Sequence, residues 1–143
     1  MRNKLKIYIS ILFCFFFLSK NINADEPFIF NITEIKILEN GNQINGYKGG
    51  KATSKDGSSI TAKKFFYNKL TNILEVTGDV RYLDVSNDIV ITSDSAIYFK
   101  NDEKVFTTGN SKAINENNTI TASSLEYDKI NNIFKAKKNA VVN

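Results

Sequence analysis

The sequence repeats itself with a period of about thirty residues, and this repeat constrains the fold more than any other feature. One copy begins at Ile60-Thr61-Ala62, passes Tyr67 and reaches Val76-Thr77-Gly78-Asp79-Val80. Another begins at Ile120-Thr121-Ala122 and passes Tyr127, and a looser copy between them contains Ile91-Thr92-Ser93 and Tyr98. A fixed period of this kind indicates one supersecondary unit that is stacked so that neighbouring copies bury apolar surface together.

Within each copy the apolar residues alternate with polar ones. Leu74, Val76 and Val80 alternate with Glu75 and Asp79, which is typical of a strand with one apolar face. Polar turns rich in Asn, Asp and Gly separate the alternating segments; they lie near 39–42, 55–58, 68–72, 85–88, 100–104, 115–118 and 129–132. Because connections this short cannot make parallel crossovers, we predict an all-β antiparallel meander of eight strands.

The alternation changes phase at the same place in each copy. The alternating set occupies even-numbered positions up to Ala62 but odd-numbered positions at Phe65 and Tyr67. An equivalent change between odd and even positions recurs from Ser93 to Ala96 and from Ala122 to Leu125. Such a switch predicts a bulge or corner at which a strand bends. Bends at one level of a meander would fold the sheet over into two faces around a shared interior. The glycines at 49, 78 and 109 are interpreted as marking a bulge or a close backbone approach within a strand.

The first 24 residues resemble a secretory signal peptide. Arg2, Lys4 and Lys6 precede a twelve-residue apolar segment, 7–18, and Ala24 offers a cleavage site before Asp25. The segment is short against the roughly 20 residues that span a bilayer. We therefore predict a signal peptide over 1–24 and one exported domain over 25–143.

The net charge of +4 resides in that first segment. It contains four basic residues and no acidic ones, so 15 basic and 15 acidic residues remain in 25–143. No basic surplus is left for phosphates, so we expect no nucleic-acid partner.

The chain has no histidine, and its single cysteine, Cys14, lies in the predicted signal peptide. The predicted domain therefore lacks the imidazole and thiolate ligands of common metal sites and the partners of a Ser-His or Cys-His nucleophile. We expect no metal site, no cofactor and no enzymatic activity.

A folded meander of this kind would enclose a long apolar trough. The candidate lining residues are these positions of the predicted strands: Ile60, Ala62, Leu74, Val76, Val80, Tyr82, Ile89, Ile91, Ile97, Phe99, Phe106, Ile120, Ala122, Phe134 and Ala136. The pattern alone leaves two occupants open for the trough, its own side chains or an apolar molecule from outside.

The motif Ile-Thr-Ala…Tyr-Asn-Lys…Asn-Ile-Leu…Val-Thr-Gly-Asp-Val over 60–80 resembles the organic-solvent-tolerance (OstA-like) repeat of lipopolysaccharide-transport proteins. That repeat occurs in the periplasmic bridge protein of the transport system and in the N-terminal periplasmic domain of the outer-membrane assembly protein. The resemblance covers roughly 28–143. It implies a β-jellyroll that holds lipopolysaccharide acyl chains, lies in the periplasm or at the outer membrane, and joins related β-jellyroll domains through strand edges.

Measured against these relatives, the sequence ends at Asn143 inside a repeat, so we expect the domain to be incomplete at its C-terminus. If the chain corresponds to the assembly protein, the resemblance implies an outer-membrane barrel as a further partner of this domain. The resemblance therefore predicts a lipopolysaccharide-transport domain; the alternative is an exported structural or adhesive β-repeat protein with a self-filled core.

Overall fold

A computed structural model describes residues 26–143, and the predicted signal peptide lies outside them. The described chain is almost entirely β-structure. Its strands are β1 (Phe28–Leu38), β2 (Gln43–Ser54), β3 (Ser59–Ala62), β4 (Lys64–Asn68), β5 (Ile73–Asp84), β6 (Ile89–Phe99), β7 (Lys104–Ile114), β8 (Thr119–Asp128), β9 (Ile133–Lys137) and β10 (Val141–Val142), with 3₁₀ turns at Glu39–Gly41 and Lys100–Asp102. None of the helical turns in 26–143 is long and apolar enough to cross a membrane.

The ten strands form one antiparallel sheet with the order β1-β2-β3-β5-β6-β7-β8-β10. β3 and β4 both lie between β2 and β5, and β9 and β10 both pair with β8. β3 and β4 therefore form one interrupted strand across the sheet, and so do β9 and β10. Counted in this way, the ten strands follow eight paths. The predicted all-β meander is confirmed, and the polar turns lie where the sequence predicts them.

Every strand path bends at a common level. The ladder shifts register between Thr77 and Val80 on β5, and between Thr108 and Ser111 on β7. On the neighbouring path Lys63 interrupts the strand between β3 and β4. The phase switch predicted from the repeat is observed, because the residues on both sides of it are buried: Ala62 and Phe65, Ser93 and Ala96, Ala122 and Leu125.

Pairs of residues with positive φ form the bulges at this level. Three of them are Lys48-Gly49, Gly78-Asp79 and Gly109-Asn110, so the three repeated glycines do mark bulges. A fourth pair, Lys138-Asn139, lies between β9 and β10. The backbone N–H of Lys63 donates to the carbonyls of Thr77 and Gly78 at 3.2 and 2.9 Å. These bonds tie the interrupted path to the bulge beside it, which keeps the bend in register across the sheet.

The bend divides the sheet into two arms. Arm A contains 34–38, 43–47, 64–68, 73–77, 95–99, 104–108, 124–128 and 133–137, and arm B contains 28–32, 50–54, 59–62, 80–84, 89–93, 111–114, 119–122 and 141–142. Their inward faces pack against each other. The ring of Phe28 on arm B lies 5.4 Å from that of Tyr67 on arm A, and Tyr82 on arm B lies 5.8 Å from Tyr98 on arm A. The interior between the arms is therefore the hydrophobic core.

Candidate functional site: the interior between the two arms

Most of the residues predicted to line a trough do face this interior. Nine of them are buried in the core: Ile60, Ala62, Leu74, Val76, Val80, Tyr82, Ile89, Ile91 and Ala122. Three more, Ile120, Phe134 and Ala136, are partly buried and pack against it. Whether any of them contacts a lipid stays a prediction.

Ile97, Phe99 and Phe106 do not face the interior, and their predicted orientation is wrong. Ile97 and Phe106 are cross-strand partners on the outer face of arm A, each 36% exposed. On β6 the prediction extends the alternation of the inward residues Ile89 and Ile91 through the bend to Ile97 and Phe99. The strand changes phase there, so Ala96 and Tyr98 point inward instead.

The recurring tyrosine of each repeat copy is a core residue that the predicted lining set lacks, as are Phe65, Val105 and Leu125. Tyr67, Tyr98 and Tyr127 lie at equivalent places on arm A, and each is almost completely buried. The phase switch, applied to each copy, would have placed all three inward. Together with Tyr82 of arm B they are the largest side chains that the core buries completely.

These four tyrosines fill the middle of the interior. Tyr82 contacts both Tyr98 and Tyr127, with ring centroids 5.8 and 6.2 Å apart, and Phe28 contacts Tyr67 and Tyr98 edge to face. Edge-to-face pairs at these distances are favourable arrangements of aromatic rings. The ring contacts join the two arms without leaving an open channel at this level.

The tyrosine hydroxyls point to the side of the interior opposite the bend. Tyr67 donates to Asn72 Oδ1 at 2.8 Å, Tyr127 donates to Asp84 Oδ2 at 2.9 Å, and Tyr98 donates to Glu103. Burial raises the pKa of Tyr67 to about 12. Burial likewise raises the pKa of Tyr82, Tyr98 and Tyr127 far above the ordinary range, so all four phenols are neutral at physiological pH.

A line of polar contacts, which we call the seam, closes the arms on that side. Its members are Asp56, Ser58, Asp84 and Asn87 at the ends of arm B, and Lys100, Glu103, Tyr127 and Lys129 at the ends of arm A. Lys129 pairs with Asp56 and donates to Ser58 Oγ at 2.9 Å. Asn87 Nδ2 donates to Tyr127 Oη at 2.9 Å and to the Lys129 carbonyl at 3.4 Å.

Charges in the seam are paired and partly withdrawn from water. The Lys129 and Lys100 side chains are only 10% and 16% exposed. Partial burial pushes the pKa of Asp56 up, but hydrogen bonds from Lys129 and the Ser58 backbone, with the nearby lysine charges, lower it to about 2. Asp56 is therefore ionised at any physiological pH.

The two ends of the interior are apolar and less filled than its middle. At the C-terminal end a cavity of about 130 Å³ lies between the arms; it is lined by Ala113, Ile114, Asn115, Asn118, Ile120, Phe134 and Val142. At the N-terminal end the edge strand β1 carries the exposed residues Ile35 and Ile37, whose partners on β2 are Gly46 and Ile44. The interior is thus mainly apolar, packed in the centre and accessible at its ends.

Comparison with known proteins identifies the family. Residues 29–139 match the sequence profile of a family described as OstA-like protein. The chain belongs to the OstA-like family. The resemblance seen in the repeat is thereby confirmed over nearly the whole described chain.

This OstA-like chain is also similar to a solved structure. That structure is LptH, the LptA-homologous periplasmic component of the conserved lipopolysaccharide transport device from Pseudomonas aeruginosa. The TM-score is 0.69 at 16% identity, over 80% of this chain and 84% of LptH. The likeness confirms the predicted β-jellyroll fold. The curated proteins contain no match to the sequence.

Within 26–143 no three Asp or Glu side chains lie close enough together to hold a metal ion. What the interior offers is apolar surface flanked by tyrosine hydroxyls and a paired line of charge. Such a surface suits a ligand with hydrocarbon chains and a polar head.

Proposed function

We propose that this chain is a periplasmic lipopolysaccharide-transport domain that shields acyl chains between its two arms. The observation that carries the proposal is the OstA-like match over 29–139, on a fold shared with a periplasmic component of a lipopolysaccharide transport device. The apolar interior supports it, since each methylene group that leaves water for such a surface gains about 0.8 kcal/mol. No covalent step is required, so the domain acts as a carrier and not as an enzyme.

Photo-crosslinking in cells producing the exported protein tests this proposal. Phe134 faces the C-terminal cavity and Phe106 lies on the outer face, so replacing each in turn with a photoreactive phenylalanine gives a matched pair. Val76 and Glu75, neighbours on β5 with opposite faces, give a second pair. We expect lipopolysaccharide adducts at Phe134 and Val76 and none at Phe106 and Glu75. Equal labelling within both pairs, or none at all, would refute transport through the interior.

A self-filled structural or adhesive β-repeat protein is the second candidate function. It is favoured by one observation, the packing of Tyr67, Tyr82, Tyr98 and Tyr127 across the middle of the interior. On this reading the protein binds no lipid, and adducts form only with other protein chains. The same photo-crosslinking experiment separates the two functions by the mass of the adduct.

Related β-jellyroll domains are the protein partners that we propose. Among the strands of 26–143, β1 pairs only with β2, and β9 and β10 pair only with β8. Within this part of the chain both ends of the sheet therefore present unpaired backbone groups. Unpaired edges favour strand addition by another chain. The family resemblance makes an outer-membrane barrel a further candidate partner, with the domain in the periplasm or at the outer membrane.

Edge docking has its own test. Photoreactive residues at Ile29 on β1 and Val142 on β10 should form protein adducts, because both side chains are exposed on edge strands. Ile97 is the control, since it is exposed on the central strand β6. Adducts at Ile97 as abundant as those at the edges would contradict docking by strand addition.

A further inference from the structure

The seam closes the middle of the apolar interior on the side opposite the bend. Its contacts join residues far apart in the sequence, such as Lys129 with Asp56 and Tyr127 with Asp84. Each joins the end of arm A to the end of arm B. Near the N-terminal end Lys69 pairs with Glu26 at 2.7 Å in the same way. The two arms are continuous through the bend, whereas each contact between the arms at the seam within 26–143 involves at least one side chain.

An amphiphile that lay between the arms would have its head at the seam. Its hydrocarbon chains belong with the core residues, and its charged head must remain where polar partners and water are present. The packed tyrosines leave no open channel through the middle of the interior. A ligand wide enough to span the middle therefore requires the arms to separate at the seam.

Separation of the arms changes the charge balance of the seam residues on arm A. In the closed seam the lysines Lys100 and Lys129 face Asp56 from arm B. Once arm B moves away, these two cations remain on arm A with Glu103 as their only acidic partner among the seam residues. Together these three residues then carry one net positive charge. Lys129 has lost the Asp56 acceptor, and Lys100 has lost the ion-pair partner that lies 4.0 Å away in the closed seam.

We propose that the seam is a lateral entry for a phosphorylated lipid, and that Lys100 and Lys129 exchange the Asp56 carboxylate for a ligand phosphate when the arms open. This inference rests on the proposed function and adds to it the route of entry and the site of the head group. A phosphate oxygen is an acceptor for lysine of the same kind as the carboxylate that it replaces. The exchange keeps both lysines paired in the closed and in the loaded state.

A reversible crosslink across the seam tests the entry route. Asn87 Nδ2 lies 3.4 Å from the Lys129 carbonyl, so cysteines at the adjacent exposed positions Ser86 and Ile130 can be joined by a short, reductant-cleavable bis-maleimide. The control pair is Thr71 and Asn101, where Asn101 Nδ2 lies 3.4 Å from the Thr71 carbonyl but both turns belong to arm A. Cys14 is the only native cysteine. After folding and crosslinking, binding of detergent-dispersed lipid A is measured before and after reduction.

We expect the seam crosslink to lower lipid A binding at least tenfold, with recovery on reduction, and the control crosslink to leave it unchanged. Undiminished binding by the seam-crosslinked protein would overturn lateral entry while leaving the transport function intact. Absence of lipid A binding by the uncrosslinked wild type would instead overturn the proposed function.

The head-group site is tested with Lys129→Gln and a pair of lipids. We expect Lys129→Gln to weaken binding of lipid A about tenfold and to change binding of dephosphorylated lipid A less than twofold. Equal losses for both lipids would overturn the phosphate exchange. Inorganic phosphate alone distinguishes the source of the phosphate: competition with lipid A at millimolar concentration would indicate a free-phosphate site and overturn the lipid assignment.

Discussion

Tyr127 donates a 2.9 Å hydrogen bond to the buried carboxylate of Asp84, a residue 43 positions earlier in the chain. The bond joins the seam end of arm A to the seam end of arm B. Asp84 also accepts bonds from the backbone N–H groups of Ser86 and Asn87, so one carboxylate organises its own turn and closes the seam.

Removal of the Tyr127 hydroxyl should therefore destabilise the domain. Tyr127→Phe leaves a buried carboxylate with one bond fewer, and we expect a loss of about 1–3 kcal/mol in the free energy of unfolding. Tyr47→Phe is the control, because Tyr47 lies on the outer face and is half-exposed. Urea titration followed by circular dichroism measures both variants. Equal losses would show that the seam bond contributes nothing specific.

The buried tyrosines should resist ionisation. Their folded-state pKa values are raised by burial, that of Tyr67 to about 12, whereas an unfolded tyrosine ionises near pH 10. Because the folded pKa is raised, the contribution of the protonated phenols to the free energy of unfolding is complete below about pH 10 and declines as the pH rises further. Absorbance at 295 nm should show these four phenols protonated at pH 10.5 and ionising together when the protein unfolds. In denaturant every tyrosine should titrate near pH 10; the same midpoint without denaturant would contradict the buried cluster.

The Asp56–Lys129 pair should contribute stability that acid removes. The folded pKa of Asp56 is lowered to about 2, so its contribution is present above the unfolded value near 4 and disappears as the pH falls toward 2. After allowance for solvent screening, we expect Asp56→Asn to cost about 1 kcal/mol at pH 7 and almost nothing at pH 2.

Asp79→Asn is the matched control for that experiment. Asp79 pairs with Lys63 at 2.6 Å, but both side chains are largely exposed, and exposed pairs contribute between about 0 and 1 kcal/mol. Chemical denaturation across pH 2 to 7 compares the variants. A cost for Asp56→Asn that does not depend on pH would exclude the ion pair as its origin.

The glycine of a bulge should be harder to replace than a glycine in an open turn. Gly109 has φ +78°, and a Cβ there would lie 2.3 Å from Asp94 Oδ2, whereas Gly57 has φ +87° with no atom within 4 Å of the same position. Gly57→Ala should cost about 1 kcal/mol from backbone strain alone. Gly109→Ala should cost more, about 2–3 kcal/mol, because the Asp94 side chain must also move. Thermal unfolding of both variants provides the comparison, and equal costs would indicate that crowding at the bulge is negligible.

The sequence by itself determined the local features of this protein. Alternation in Leu74–Val80, turns of Asn and Gly, and the phase switch from Ala62 to Phe65 all depend on residues close in the chain. Their physics is local, because side-chain period, turn conformation and bulge geometry are decided within a few residues. The strands, the meander and the common level of the bends were therefore predictable.

Tertiary structure decided what depends on the meeting of the two arms. Lys129 and Asp56 are 73 positions apart in the sequence, and they come into contact only when the sheet folds over. The sequence shows both residues in polar turns, but no local rule brings those turns together. The packed tyrosines and the seam are therefore products of the fold, because distant side chains become neighbours only when apolar faces are buried against each other.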